Sequence, residues 1–264
     1  MSIANADKNL LYIPENLRKT LPEYKYNFDI SVIENPLSVY SIVSKHITPN
    51  SKVLDVGCST GYLGSYLADV KNCTVYGIDI DRKSLLKAEE TGKYIALECV
   101  NLDNKEDLEI LQKKFPEDFD YILILDVLEH LKDPSIAFLS LLQHLKENGK
   151  LIVSIPNINH IDVVFNLING RFNYSTLGIL DNTHLRFFTK SSFEEWINSL
   201  SEDLNFSLKM EIIGRTTSET INVPENQKRN LLKQMNLLKK LYKLSNREEE
   251  MFTVQYIFSI EKVN

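Results

Sequence analysis

Much that would mark an exported, membrane-spanning or nucleic-acid-coating protein is missing from this chain. Cysteine occurs three times in 264 residues, at 58, 73 and 99, and these positions fit neither a disulfide framework nor a metal-ligand spacing. Reduced thiols in a cytoplasmic protein are the reading that follows. No basic stretch leads into an apolar one at the N-terminus, so no secretory signal is expected. No apolar run approaches the ~20 residues that span a bilayer. Basic charge is in deficit: 30 Lys and Arg against 36 Asp and Glu give a net charge of −6, which argues against a nucleic-acid footprint over the whole surface. Repeats, low-complexity tracts and linkers are absent too. So is the middle glycine of a G-x-G-x-x-G dinucleotide turn, where Ser59 stands instead.

What remains is an ordinary globular composition, 43% hydrophobic and 25% charged, able to build a sizeable core. Residues 1–35 are polar, carry Tyr12, Tyr24, Tyr26 and Phe28, and read as an irregular or partly helical arm that can cover a ligand site, though packing its aromatics on the core is the commoner use. A helix is expected over 36–47, with Pro36 in its first turn and Leu37, Tyr40, Val43 and Ile47 on one face. Strands near 52–57, 74–79, 94–100, 119–125 and 149–155 then alternate with helical patterns near 62–69, 82–90, 105–114 and 134–146. The last of these has Asp133 as N-cap and Pro134 at N1, with Asn148-Gly149 as its stop. Such alternation means βαβ units, a mostly parallel sheet and helices on both faces.

After Pro156 the pattern changes. A helix over 158–169, a long aromatic-rich loop from Gly170 to Lys190 and a helix near 190–199 capped by Ser191 or Ser192 are expected. A strand near 206–213, a helix near 226–244 and a final strand at 252–260 follow. The chain thus reads as one domain over 36–264 with an insertion at about 157–190. From Lys228 to Arg247 there are seven basic residues and no acidic one. A solvated basic face is expected there, with an anionic-ligand patch as the alternative. The opposite face is apolar enough to dock on the sheet or to pair with another subunit, so a homodimer is allowed.

The stretch from Val53 to Gly64 organises the rest. An apolar strand enters a turn with Gly57 and Gly61, and an amphipathic helix leaves it, the arrangement that presents backbone N–H groups to a nucleotide-like ligand. Asp55 is a carboxylate inside an apolar strand, where burial penalises it unless something cationic or hydrogen-bonding meets it. Val75-Tyr76-Gly77-Ile78-Asp79 ends the next strand with an acid that either grips a ribose diol or caps the following helix. A pyrophosphate needs the missing glycine and would be repelled by Asp55. A ligand with a cationic end would not.

In these residues the chain resembles the class I S-adenosylmethionine-dependent methyltransferases. Val53 to Gly61 looks like the first motif in its G-x-S-T-G variant, and Val75 to Asp81 looks like the second. The runs Phe119 to Leu131 and Asn148 to Asn157 look like the fourth and fifth strands. The resemblance covers roughly residues 35–215 and implies a seven-stranded Rossmann-like sheet whose last strand is antiparallel. It implies that Gly57, Cys58 and Gly61 cradle the methionine part of the cofactor, with Asp55, Leu125 and Asp126 beside it, and that Asp79 binds the ribose hydroxyls. Ile80 and Leu102 would pack near the adenine, and either Asn101 or Asp103 would meet its amino group. Two local stretches, Asp126 to Pro134 and Gly178 to Thr189, look like bacterial methyltransferases associated with glycan and cell-envelope biosynthesis.

Methyl transfer is an in-line displacement at a sulfonium carbon, so positioning and desolvation supply much of the rate. A hydroxyl acceptor also needs a base, and His130, after the fourth strand, and His184, in the long loop, are the candidates, with Glu129 beside them. Asp126, Glu129 and His130 fall at i, i+3 and i+4, so one helical turn would bring all three to one side. Some related methyltransferases, including ubiquinone-pathway O-methyltransferases and small-RNA 2′-O-methyltransferases, place Glu, Glu and His here to hold a divalent metal. Since Leu-Glu-His recurs in metal-free members, no metal is expected, and Asp126, Glu129, His130 and His184 are the candidate ligands should one bind. Arg171, Arg186 and Tyr174, with Phe172, Phe187 and Phe188, belong to the same loop and suit a sugar face or a phosphate, with anchoring of the loop to the core an equal alternative for Phe187 and Phe188.

The expected function is methyl transfer from S-adenosylmethionine to an oxygen, or less readily a nitrogen, of a small-molecule or sugar-like acceptor. A nicotinamide-dependent oxidoreductase and a cofactor-binding partner subunit without turnover are the alternatives.

Overall fold

The computed structural model describes residues 31–115, 118–202, 204–222 and 231–263. Most of the expected arm at 1–35 lies outside them, as does the start of the helix expected at 226–244. Within the arm only a short helical turn, α1 (Ser31–Glu34), is described.

The elements then follow as α2 (Val39–His46), β1 (Lys52–Val56), α3 (Tyr62–Lys71), β2 (Thr74–Asp79), α4 (Arg82–Glu90), β3 (Tyr94–Cys99), α5 (Lys105–Lys114) and β4 (Phe119–Leu125). After a 3-10 turn at Leu128–His130 come α6 (Pro134–Gln143), β5 (Leu145–Pro156), α7 (Ile161–Ile168), α8 (Lys190–Glu202), β6 (Ser207–Thr217), α9 (Leu231–Leu244), a 3-10 turn at Glu248–Glu250 and β7 (Thr253–Val263). The seven strands form one sheet in the order β3-β2-β1-β4-β5-β7-β6. The first five are parallel, and β7 runs antiparallel between β5 and β6. This is the α/β, Rossmann-like architecture expected.

Strand alternation feeds two cores. In β4, Ile122 and Ile124 point into the cluster completed by α5, α6 and α8, while Tyr121, Leu123 and Leu125 point into the one completed by α2 and α3. Each fully buried Leu, Ile or Phe in these layers contributes roughly 1.5–3 kcal/mol. A third, smaller cluster joins α7 to α9 through Ile161, Phe165, Leu238 and Tyr242. Among the described residues no helix is long and apolar enough to cross a membrane.

Several boundaries differ from expectation, three of them for a reason visible in the hydrogen bonding and pairing. The first helix begins at Val39, because the Ser38 side chain accepts from the Ser41 N–H; Pro36 and Leu37 precede it, and Leu37 is exposed. The helix expected to reach 146 ends at Gln143, and Asn148-Gly149 lies inside β5. Leu145 already pairs with Phe119, and the ladder resumes at Lys150 with Tyr121. Gly149 is needed at that bulge, since a Cβ there would lie 2.7 Å from the Phe119 carbonyl oxygen. The cap of α8 is Thr189, not Ser191 or Ser192: its hydroxyl accepts from the Ser192 N–H while Ser192 Oγ accepts from the Thr189 N–H, a reciprocal capping box.

Candidate functional site

The turn after β1 uses its own hydrogen-bond donors. The N–H groups of Gly57 and Cys58 both donate to the Ile78 carbonyl, at 2.8 and 3.0 Å, and that of Gly61 donates to the Cys58 carbonyl at 2.9 Å. The Ser59 N–H donates to Asp79 Oδ2 at 2.8 Å. The Gly57, Cys58 and Ser59 groups therefore stitch the turn to β2 and that of Gly61 closes the turn, so none of the four stands open to a ligand as the sequence suggests. Gly57 has φ +72°, and a Cβ on it would meet Val127 Cγ2 at 2.7 Å, so this glycine permits the close approach of the loop after β4.

Gly61 answers to a different neighbour. The ring of Tyr94, entering from β3, fills the space that a Cβ on Gly61 or Gly77 would need, at 2.9 and 2.7 Å. Crossing there, its hydroxyl donates to Asp55 Oδ2 at 2.8 Å. Asp55 is 4% exposed, and burial pushes its carboxyl up to about 7, against the lowering effect of the Tyr94 bond. Cys58 is also buried, and desolvation raises its thiol. Asp55 and Cys58 line a small side cavity of about 20 Å³ with Tyr40 and Tyr62, while Gly61 lines neither cavity.

The main cavity, of about 900 Å³, opens at the C-terminal ends of the strands, where the order reverses between β1 and β4. Gly57, Asp79, Ile80, Asn101, Leu102, Asp103, Leu125 and Asp126 line it. So do Glu129, His130 and His184. Asp79 is oriented by two backbone donors, Ser59 N–H on one oxygen and Asp81 N–H on the other at 2.7 Å. It does not cap the next helix; Asp81 does, accepting from the Lys83 and Ser84 N–H groups. Asn101 Oδ1 accepts from the Asp103 N–H, and Asp103 Oδ1 from the Lys132 N–H at 2.9 Å, so both candidates for the base edge are held in place.

The expected single-sided trio after β4 does not form. Asp126 sits at φ +55°, outside the 3-10 turn, and its carboxylate accepts from Ser154 Oγ at 2.7 Å and from Gln255 Nε2 at 2.8 Å on each oxygen. Instead, Glu129, His130 and His184 converge, with one ligand atom of each within 4.8 Å of the others. Glu129 is 1% exposed, and neither carboxylate oxygen has a hydrogen-bond partner among the described residues. Burial pushes its carboxyl well up, and repulsion from Asp126 adds to this. The loop after Gly170 docks here by backbone, the Leu185 and Arg186 N–H groups both donating to the Glu129 carbonyl.

The ring nitrogens acquire distinct roles from their neighbours. His184 Nδ1 lies 3.0 Å from the Ile179 carbonyl, which only accepts, so Nδ1 carries the proton and Nε2 is the basic nitrogen. His130 Nδ1 lies 3.3 Å from the Thr183 carbonyl and 3.1 Å from the Thr183 hydroxyl. That hydroxyl donates to Asp181 Oδ1 at 2.7 Å, leaving its oxygen to accept from His130. Asp181, Thr183, Ser154, Gln255 and Tyr94 were not singled out from the sequence. The Asp-x-Thr spacing signals the local turn at 181–183, but nothing in sequence ties Gln255 to Asp126.

The arginines and aromatics of the loop do not line the cavity. Phe188 packs into the core against Phe193 and Trp196, while Phe172 meets Tyr174 and Phe187 edge to face. Arg171 bonds Asn166, and Arg186 donates to the Lys132 carbonyl.

A family model described as a methyltransferase domain matches residues 29–200. A ubiquinone biosynthesis O-methyltransferase of Pseudomonas syringae pv. tomato is 29% identical over 198 residues, 74% of this chain and 78% of that protein. Its counterpart in Pseudomonas fluorescens strain Pf-5 is 30% identical over 182 residues, 67% and 73% of the two chains. Among solved structures, a SAM-dependent methyltransferase from Archaeoglobus fulgidus aligns with a TM-score of 0.53 at 18% identity, covering 85% of this chain and 95% of that one. The plantazolicin methyltransferase BamL, solved with a triazolic desmethylPZN analog and SAH, aligns with a TM-score of 0.54 at 17% identity, covering 90% and 86%. At such identities the solved structures speak for the fold.

Proposed function

Since the chain belongs to the methyltransferase-domain family, as a class I S-adenosylmethionine-dependent enzyme, we propose that it methylates an oxygen of a small, largely apolar hydroxylated acceptor. Family membership leaves the nicotinamide alternative without support. The observation that carries the reading is that Asp79 and the imidazoles of His130 and His184 border one cavity of about 900 Å³.

In this reading Asp79 binds the ribose diol, Ile80 and Leu102 flank the adenine, and Asn101 or Asp103 meets its amino group. Gly57, Leu125 and Asp126 border the methionine end, while Asp55, Cys58 and Gly61 shape the wall behind it through Tyr94. Bound S-adenosylmethionine would supply an electrophilic methyl group to the acceptor oxygen, its sulfur keeping the C–S electron pair, while His130 Nε2 takes the acceptor's proton. Asp181 and Thr183 keep the other His130 nitrogen protonated and the ring fixed. His184 and Glu129 border the acceptor, and residues 157–190 act as an acceptor-side insertion of a single cytoplasmic domain. Leu131, Pro156, Leu177, Ile179 and Val254 on the cavity wall support an apolar hydroxylated ring over the sugar-like, glycan-related acceptor expected from the sequence. The ubiquinone biosynthesis O-methyltransferases among the relatives support oxygen as the target.

Removing Asp79 deletes two charge-assisted hydrogen bonds to a diol, so Asp79→Ala is expected to weaken S-adenosylhomocysteine binding roughly 100-fold by calorimetry while melting stays cooperative. Unchanged affinity would overturn this placement of the cofactor.

A second reading is favoured by Glu129, whose buried carboxylate has no hydrogen-bond partner among the described residues. With His130 and His184 it fits a divalent cation of the Mg²⁺ or Mn²⁺ type, whereas Asp126 is already engaged by Ser154 and Gln255. Such a cation would lower the pKa of a nearby hydroxyl. It predicts that MnCl₂ raises the melting temperature of the wild type and not of Glu129→Gln, with turnover lost on chelation. No thermal shift and chelator-resistant turnover would leave the histidine base alone.

A further inference from the structure

The outer face of α9 differs from the rest of the surface. Leu232, Leu237, Leu241 and Leu244 are 51–81% exposed, while Leu238 and Tyr242 on the other side are buried in the cluster shared with α7. At 100° per residue, Leu237, Leu241 and Leu244 fall within about 60° of one another. Lys233, Lys239, Lys240 and Lys243 occupy the adjoining exposed positions, and the helix has no acidic residue in a chain of net charge −6. None of the four lysines makes an ion pair with a described residue. Single exposed leucines are ordinary on a protein surface, but three on one stripe beside four lysines in 14 residues form an interfacial pattern.

The patch extends beyond the helix. Gln234 Nε2 donates to Asn169 Oδ1 at 3.1 Å, which draws α9 along the end of α7, where Leu167 and Ile168 are 55% and 57% exposed. Its place in the fold also matters. α9 lies in the connection from the end of β6 to the start of β7, and Thr216, Val254 and Gln255 at those strand ends line the main cavity. The patch therefore belongs to the cavity end of the sheet.

We propose that the outer face of α9, with the end of α7, docks on an anionic lipid bilayer and holds the cavity end of the molecule against it. The leucines enter the headgroup boundary while the lysines meet anionic headgroups, whose attraction adds per basic residue and decays within a Debye length. A second copy of the chain fits less well, because apposed α9 faces would set lysine against lysine. No described helix can span a membrane, so the contact is peripheral.

The test needs neither cofactor nor acceptor, so its failure and that of the proposed function are separable. The full chain is co-sedimented with vesicles of phosphatidylcholine alone and of phosphatidylcholine with phosphatidylglycerol, at low and high salt. Binding is expected only to the anionic vesicles, and weaker at high salt. Lys239→Gln/Lys240→Gln/Lys243→Gln should weaken partitioning by on the order of 100-fold. Leu237→Gln/Leu241→Gln should also weaken it, with the melting temperature of both variants near wild type. Absence of binding to anionic vesicles, or equal binding by the lysine variant, overturns the proposal. So does a dimer seen by light scattering that the leucine variant abolishes, which would assign the patch to self-association.

Discussion

At Asp55, desolvation in the middle of β1 outweighs the hydrogen bond from the Tyr94 hydroxyl, and the nearby Asp79 adds repulsion, so the carboxyl titrates at about 7. In the unfolded chain it titrates near the ordinary aspartate value of 3.8. The folded state is thus the better proton binder. Its disadvantage is absent below about pH 4, grows as pH rises, and is complete above about pH 7. Asp55→Asn keeps an acceptor for Tyr94 and removes the charge. It is expected to stabilise the cofactor-free protein by about 2–4 kcal/mol at pH 8 and to change little at pH 4, read as melting temperature across pH. A substitution effect that is flat with pH would contradict a buried carboxylate as its source.

Among the elements, what could be read from the sequence was what depends on local pattern. Strands β1, β2 and β4 carry continuous or alternating apolar residues between turn signals, and Asp133 caps the helix that follows it. The errors came where one local signal competed with pairing across the sheet. Asn148-Gly149 has the chemistry of a helix stop, but Leu145 is claimed by Phe119 in β4, so the strand starts earlier and the glycine serves a bulge. Similarly, Asp126, Glu129 and His130 have helical spacing, but Asp126 at φ +55° precedes the turn and the trio separates.

On the scale of the whole molecule, the cavity is closed by the last strand. Insertion of β7 between β5 and β6 carries Gln255 to Asp126, 129 residues away in sequence. Gln255→Leu leaves Ser154 as the side-chain donor to that carboxylate and is expected to lower kcat/KM roughly tenfold, with a near-wild-type melting temperature. A loss confined to thermal stability would show that Gln255 holds the sheet and not the site.

The α/β class, the order of strands and helices, the tips at Gly57 and Asp79 and the histidine-bearing loop are all legible along the chain, because each rests on periodicity, capping or turn chemistry within a few residues. The partners come from the folded chain. It gave the glycines of the turn to Tyr94 and Val127, Asp126 to Gln255, His130 to the Asp181–Thr183 pair, and left the Glu129 carboxylate without a hydrogen bond from any described residue. Hydrogen bonds and desolvation act over a few ångströms between groups that the chain separates by tens of residues, and no local pattern records which of them will meet.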